Sequence, residues 1–333
     1  MAEQRFLVVR LGSLGDIVHA FPAVGGLRES FPDAEIIWLT HPKWEALVRA
    51  GNLASEVWTV ETRDWASLRS ILARIRQHHF ETAIDYQGLW KSASIPFLAR
   101  VSRRIGFSRE TVREAGVPLL YTDRVRVNVA SHVADQNGEL SLRAGAERGT
   151  GAVALQIAPQ DEASVKNTLQ KQGVAEYVVL SPGGGWRSKC WPAERFGKLA
   201  VRLLEELKLR CVINAGPGEE DLVKAVLSAA GVAQPTLYSG NLGQLMALLK
   251  NATAVVAGDT GPLHLADALG AQVVAIFGPT DPARNGPYRH SGVVLRWEGA
   301  ETTYKRGTEA DQSLMHISVD EVLGALRGLR GAA

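Results

Sequence analysis

Four short segments set glycine beside a charged or hydroxyl-bearing residue where an apolar run gives way to an amphipathic one, a setting in which backbone amides and side chains can converge on a ligand. The first, Leu11-Gly12-Ser13-Leu14-Gly15-Asp16, follows the run Phe6–Arg10 and leads into the helical-looking Ile17-Val18-His19-Ala20. Its spacing is G-x-x-G-D, not the G-x-G-x-x-G of a dinucleotide site, and its carboxylate would repel a pyrophosphate. Asp16 can cap the helix that follows, or it can meet a ligand as a general base, a role worth about 10² to 10⁴ in rate. Spacing alone leaves both open.

The second segment, Pro182-Gly183-Gly184-Gly185-Trp186-Arg187-Ser188-Lys189, follows the run Tyr177–Ser181. Successive glycines cost backbone entropy unless the chain wraps something, and Arg187 and Lys189 carry the charge a diphosphate requires. The alternative is a mobile surface loop with incidental cations, in which Trp186 and Trp191 would be out of place. The third, Gly258-Asp259-Thr260-Gly261-Pro262-Leu263-His264, turns from Ala254–Ala257 into a helix whose first amides form an anion cradle. Here His264 can donate to a phosphate oxygen or rest half-buried on a carbonyl, and Asp259 caps the helix or holds the loop. The fourth contains Glu219, in Asn214-Ala215-Gly216-Pro217-Gly218-Glu219. That carboxylate can accept the hydroxyls of a ribose or complement a helix dipole. No D-x-D pair occurs and the eight histidines are scattered apart from His78-His79, so no metal site of recognisable spacing is expected.

The elements that must hold these loops read as α/β. Short Val/Ile/Leu-rich runs at Phe6–Arg10, Glu35–Leu39, Glu56–Val60 and Thr82–Asp85 alternate with amphipathic stretches such as Trp65–Gln77. The same alternation returns at Tyr177–Ser181, Arg210–Asn214, Thr236–Tyr238, Ala254–Ala257 and Gln272–Phe277, with helices over Arg195–Leu207 and Leu242–Asn251. The small, glycine-rich stretch Ala144–Gln156 has neither period and marks a boundary, giving domains of residues 1–155 and 156–333. Two doubly wound parallel sheets facing a central cleft would put every one of the four segments on loops at strand ends. The amphipathic Val319–Leu329 could pack back on the first domain.

A chain of 333 residues suits two domains, and 46% hydrophobic with 22% charged residues is ordinary globular usage. A net charge of +2 does not favour nucleic acid, yet seven arginines (Arg100, Arg103, Arg104, Arg109, Arg113, Arg124, Arg126) face three acids between residues 100 and 126. That cluster is either a solvated face or a surface for an anionic acceptor. Two cysteines, Cys190 and Cys211, are too few for a disulfide scaffold and fit a reducing compartment. The absence of a signal-peptide layout and of a transmembrane segment makes a cytoplasmic protein the expectation.

These segments together resemble the bacterial ADP-heptose:lipopolysaccharide heptosyltransferases of glycosyltransferase family 9. The resemblance runs through VVRLGSLGDIVHAFPAV, DYQGLWKSA at Asp85–Ala93, SPGGGWRSKCWP, GDTGPLHLADALG and FGPTDPARNGPY, and is nearest to the first heptosyltransferase of the inner core. It implies a GT-B fold of two Rossmann-like domains and an inverting transfer of heptose from ADP-heptose that needs no metal and no cofactor. The first domain would take the acceptor and the second the donor. The acceptor would be an anionic lipid-linked glycan (Kdo-lipid A) at the inner membrane surface. By position, Asp16 corresponds to the catalytic base, Lys189 to the lysine on the donor phosphates, and Thr260, Gly261 and His264 to the diphosphate loop. Arg187, Gly184, Asp259 and, more loosely, Glu219 complete the donor side. Ser13, Gly15, Lys91 and Arg104 are the acceptor-side candidates. The cysteines that many relatives carry before the last helix are missing here. The triple glycine at Gly183–Gly185 also replaces a threonine-rich loop. The other readings of the same segments are a nucleotide-sugar epimerase and a nucleotide-sugar-binding protein without catalysis.

Overall fold

The computed structural model describes residues 4–289 and 292–331. Two compact units, residues 1–156 and 157–333, make up the chain. The first runs β1 (Arg5–Val9), α1 (Leu14–Ser30), β2 (Glu35–Thr40), α2 (Glu45–Ala50), β3 (Glu56–Thr59), α3 (Trp65–His78), β4 (Thr82–Asp85), α4 (Trp90–Leu98), β5 (Arg103–Phe107), β6 (Asp123–Val125) and α5 (Val133–Ala144). The second runs α6 (Pro159–Lys171), β7 (Tyr177–Ser181), α7 (Ala193–Leu207), β8 (Arg210–Asn214), α8 (Glu220–Ala230), β9 (Thr236–Tyr238) and α9 (Leu242–Lys250). It continues with β10 (Ala254–Gly258), α10 (Gly261–Ala268), β11 (Val273–Phe277), α11 (Pro282–Asn285), β12 (Gly292–Arg296), α12 (Gln312–Met315) and α13 (Val319–Gly331).

Both sheets are parallel throughout and share one winding order. The first is β3-β2-β1-β4-β5-β6 and the second β12-β11-β10-β7-β8-β9, the same sequence of crossovers read from the opposite edge. In each, the order reverses between the first and fourth strands of the unit, β1 beside β4 and β7 beside β10. Loops leaving that pair diverge to opposite faces and open a crevice at the strands' C-terminal ends. Register brings the exits level, with Val9 opposite Asp85 and Ser181 opposite Ala257.

The strands are sheets' interiors because both faces are covered. Leu7 and Val9 join Ile71, Ile75 and Ile95 of α3 and α4, while Phe6 meets Phe31 at the end of α1. In the second unit Val178, Leu180, Val256 and Ile276 pack under α7, whose Phe196, Leu199, Ala200 and Leu203 recur at helical spacing. Val322, Leu323 and Leu326 bury the apolar stripe of α13 in that same core, and Asp320 accepts a bond from Arg202 of α7.

Three strands lie outside the runs anticipated from sequence. β5 opens with two arginines, β6 has three residues, and β12 is a partly exposed edge, so none shows the continuous apolar run of a central strand. No helix among the described residues is long and apolar enough to cross a membrane.

Candidate functional site

The winding reversal of the second sheet is where its polar side chains gather. Asp259, directly after β10, is buried and uses both carboxylate oxygens: Oδ2 lies 2.6 Å from Lys189 Nζ, and Oδ1 lies 3.1 Å from His264 Nε2. Burial pushes the Asp259 carboxyl up, but the His264 and Lys189 contacts outweigh it and hold the group well below the usual carboxylate range. The carboxylate therefore stays ionised and orients both the Lys189 ammonium and the His264 ring. Lys189 Nζ also stands 4.2 Å from the centre of the Trp186 ring, which fixes the ammonium from a second side.

Thr260 is the residue before α10, with Gly261 and Pro262 opening the helix. Its Oγ1 is buried and has no hydrogen-bond partner within the protein, an expensive state unless a ligand supplies one. The helix N-terminus beside it adds unbonded amides and the positive end of the dipole. Gly184 lies over this threonine: a Cβ there would come 2.9 Å from Thr260 Cγ2. Gly183 is held as tightly, since a Cβ would fall 2.0 Å from Glu219 Oε1. Glu219 accepts the Gly216 amide at 2.7 Å, closing the turn before α8 against the glycine loop. Lys189, Asp259, Thr260, Gly261, His264, Gly184 and Glu219 thus share one corner of the unit. Arg187 is exposed on the 3₁₀ turn Arg187–Lys189 and takes no part in the Asp259 bonds.

The corresponding reversal in the first unit carries Asp16. Ser13 precedes α1 and donates both its amide, at 2.9 Å, and its hydroxyl, at 3.0 Å, to Asp16 Oδ2. Oδ1 lies 2.8 Å from Arg10 Nη2. The guanidinium of Arg10 is buried, and its Nη1 donates to the Tyr86 carbonyl at the end of β4. Burial raises the Asp16 carboxyl, and Arg10, the two Ser13 donors and Arg113 together pull it below its ordinary value. About half of the side chain is nonetheless exposed, at 47%, so the anion is both held and reachable. Asp16 accordingly does cap the helix, through the residue three before it, and remains available to a ligand. The loop itself requires glycine at Gly12, whose φ of +149° accompanies a position where a Cβ would lie 2.7 Å from Trp44 Nε1. Gly15 is buried in the first turn.

The β4 loop braces this arrangement. Gln87 Oε1 accepts the Leu11 amide at 2.8 Å, and buried Asp85 accepts the Gln87 and Gly88 amides, the Ser92 hydroxyl and, at 2.7 Å, the Tyr121 hydroxyl. Lys91 is exposed on the first turn of α4. Arg104 is not brought to Asp16. It is the second residue of β5, in register with Ala83 of β4 and so level with Leu7 in the middle of β1, and it donates to the Leu120 carbonyl at 2.8 Å and to the Val101 and Ser102 carbonyls. These bonds hold the start of β5 against the turn at 117–120.

Two participants escaped sequence reasoning. Arg10 sits at the end of a run that reads as a strand, although an arginine closing the run Phe-Leu-Val-Val is itself a signal. Arg306, 5.3 Å from the Trp186 ring, comes from a segment with no regular period. Among the described residues, no group of three or more His, Cys, Asp or Glu is arranged to hold a metal ion.

Comparison with known proteins agrees with this architecture. Glycosyltransferase family 9 (heptosyltransferase) matches residues 68–314. The chain is 28% identical over 346 residues to lipopolysaccharide heptosyltransferase 1 of Pseudomonas aeruginosa, covering 96% of this chain and 93% of that protein. It is 26% identical to the Escherichia coli K12 enzyme of the same name, covering 88% and 93%. Among solved structures, a family 9 glycosyl transferase of Veillonella parvula superposes with a TM-score of 0.86 at 20% identity, covering 99% and 98%. E. coli heptosyltransferase WaaC with ADP superposes at 0.78 and 23%, covering 98% and 100%. These likenesses extend over the two Rossmann-like sheets of the GT-B fold, and this chain is a glycosyltransferase belonging to glycosyltransferase family 9, the heptosyltransferases.

Proposed function

We propose that this enzyme transfers heptose from ADP-heptose to the inner core of a lipopolysaccharide acceptor, with inversion and without a metal. The observation that carries the donor side is the Asp259-centred corner: a held lysine, an unpartnered threonine hydroxyl and a helix N-terminus converge where a diphosphate would need cations and donors. Two of the relatives named above are lipopolysaccharide heptosyltransferases, and one solved E. coli WaaC structure carries ADP-2-deoxy-2-fluoro heptose, which supports the choice of donor.

In this reading Asp16 accepts the proton of the acceptor hydroxyl while its oxygen bonds to the anomeric carbon of the donor. The bond from that carbon to the diphosphate oxygen breaks, and ADP departs with the electron pair. Lys189, the Thr260 hydroxyl and the first amides of α10 take up the developing charge in place of a divalent ion. Glu219 and Gly184 complete the donor pocket, while Ser13, Gly15 and Lys91 serve the acceptor, an anionic lipid-linked glycan reached at the cytoplasmic face of the inner membrane. A single displacement inverts the anomeric centre.

Transfer is tested with ADP-heptose and a Kdo-lipid A acceptor, against ADP-heptose alone. Asp16→Asn keeps the size of the side chain and removes its basicity, so transfer should vanish while donor affinity stays within about threefold. Full activity in that variant would remove Asp16 from the base role. Conversion of the donor without acceptor would instead identify an epimerase.

A further inference from the structure

Part of the arginine-rich stretch lies outside the transfer site and has a definite shape. Arg104 Nε donates to the Leu120 carbonyl and Arg124 Nε donates to the Pro118 carbonyl, each at 2.8 Å. The residue between those two carbonyls, Leu119, is 73% exposed at the middle of the 3₁₀ turn Val117–Leu120. The Arg104 guanidinium also stands 5.6 Å from the ring of Phe97 on α4. That helix presents Trp90, Phe97 and Leu98 at i, i+7 and i+8, one face of a helix, and they are 47%, 43% and 50% exposed. At its far end Arg76 donates to the Leu98 carbonyl at 2.8 Å.

Three arginines therefore rim an apolar face while bonded to main-chain carbonyls and not to carboxylates, so each keeps its full positive charge. The neighbouring acids are engaged elsewhere: Asp123 pairs with Arg143 and Arg103, and Glu114 accepts the Trp90 amide. A soluble partner would gain little from protruding leucines ringed by uncompensated cations. A bilayer surface meets both demands, because apolar side chains enter the boundary between headgroups and acyl chains while arginines reach the phosphates.

From this pattern we infer that the α4 and 117–120 face docks the enzyme on an anionic phospholipid surface. The inference stands on these contacts and not on the identity of the sugar transferred. Each arginine near a negatively charged leaflet is worth roughly fivefold in partition, and each leucine that leaves water roughly tenfold.

The experiment is flotation of the full chain with acceptor-free vesicles, either phosphatidylcholine alone or phosphatidylcholine containing phosphatidylglycerol. Wild type should float with the anionic vesicles, stay behind with the neutral ones, and release as salt is raised. Leu98→Asp with Leu119→Asp should lower binding by at least about tenfold, and Arg124→Gln by about fivefold. Val232→Asp, at an 85% exposed position of the second unit, should change nothing. Absence of wild-type binding, equal capture by both vesicle types, or undiminished binding by the double aspartate variant would overturn the inference. A face that recognises the acceptor's sugars or another protein would show the first of these. Transfer onto a deacylated, water-soluble acceptor should be unchanged in the double variant, which separates a failure of docking from a failure of the transfer mechanism.

Discussion

Lys189 and Asp259, 70 residues apart in the chain, meet with Nζ and Oδ2 at 2.6 Å. The contact ties the loop after β7 to the loop after β10, the two strands at which the second sheet reverses its winding. His264 on the other oxygen stops the carboxylate from turning, so the ammonium is aimed before any ligand arrives. Such preorganisation is what makes a cation effective against charge that develops during a reaction.

Lys189→Met should accordingly lower transfer by about 10²- to 10³-fold, the scale on which loss of one preorganised charge stabiliser is felt. The fall should appear in kcat more than in donor KM, because the diphosphate gains charge only as the glycosidic bond breaks. Steady-state kinetics with ADP-heptose measure both. A decrease confined to KM would assign the lysine to ground-state binding alone.

The depressed Asp259 carboxyl has a consequence for stability. A carboxyl whose folded pKa lies below its unfolded value, about 3.9, contributes stability that is complete above that value and is lost as pH falls toward the folded pKa. Asp259→Asn lacks this contribution at every pH. Urea unfolding should therefore find the variant weaker than wild type at pH 7, with the gap narrowing only below about pH 4. A gap that stayed constant down to the acid limit would mean that the lost hydrogen bonds, not the charge, set the difference.

Gly183→Ala tests whether the glycine loop and Glu219 are one device. The added Cβ would fall on the Glu219 carboxylate, the movable end of a side chain, so the fold should survive with Glu219 displaced and the Gly216 amide without its acceptor. Donor affinity should drop by about the same factor in Gly183→Ala, in Glu219→Ala and in the double variant, as for two changes that remove one interaction. Calorimetric titration with ADP gives the three values. Additive losses would show that the two residues act separately.

Much of this is legible in the sequence. β1, β4, β7 and β10 are fully apolar in places because helices cover both faces, and that is why their periodless Val/Ile runs announced a parallel sheet. The loops leaving them carried glycine beside Asp16, Lys189 or Asp259, so candidate residues came with the strands. What sequence concealed depended on partners distant in the chain. β5 begins Arg103-Arg104 and passed for a charged segment, although both side chains have fixed structural partners. The nearness of Gly183 to Glu219 joins two loops that leave neighbouring strands, and no local spacing encodes it. Asp259 looked like support for its loop, whereas burial between Lys189 and His264 makes it the centre of the corner.

Arg10 holds the Asp16 carboxylate from within the first unit, and that unit's pH response tests its role. Burial favours the neutral Asp16 carboxyl, with Arg10 leading the groups that reverse that preference. With Arg10 present, Asp16 is ionised throughout the neutral range, and the acid limb of kcat/KM attributable to it should lie below the ordinary carboxylate value of about 3.9. Arg10→Met removes the largest opposing charge and leaves burial less opposed, so the acid limb should move to higher pH and activity at pH 5 should fall more than activity at pH 8. Arg10→Lys keeps the charge but loses the two-pronged link from Asp16 to the Tyr86 carbonyl, and should restore the pH profile more fully than the rate. If both variants lost activity in equal proportion at every pH, Arg10 would serve only to hold the loop.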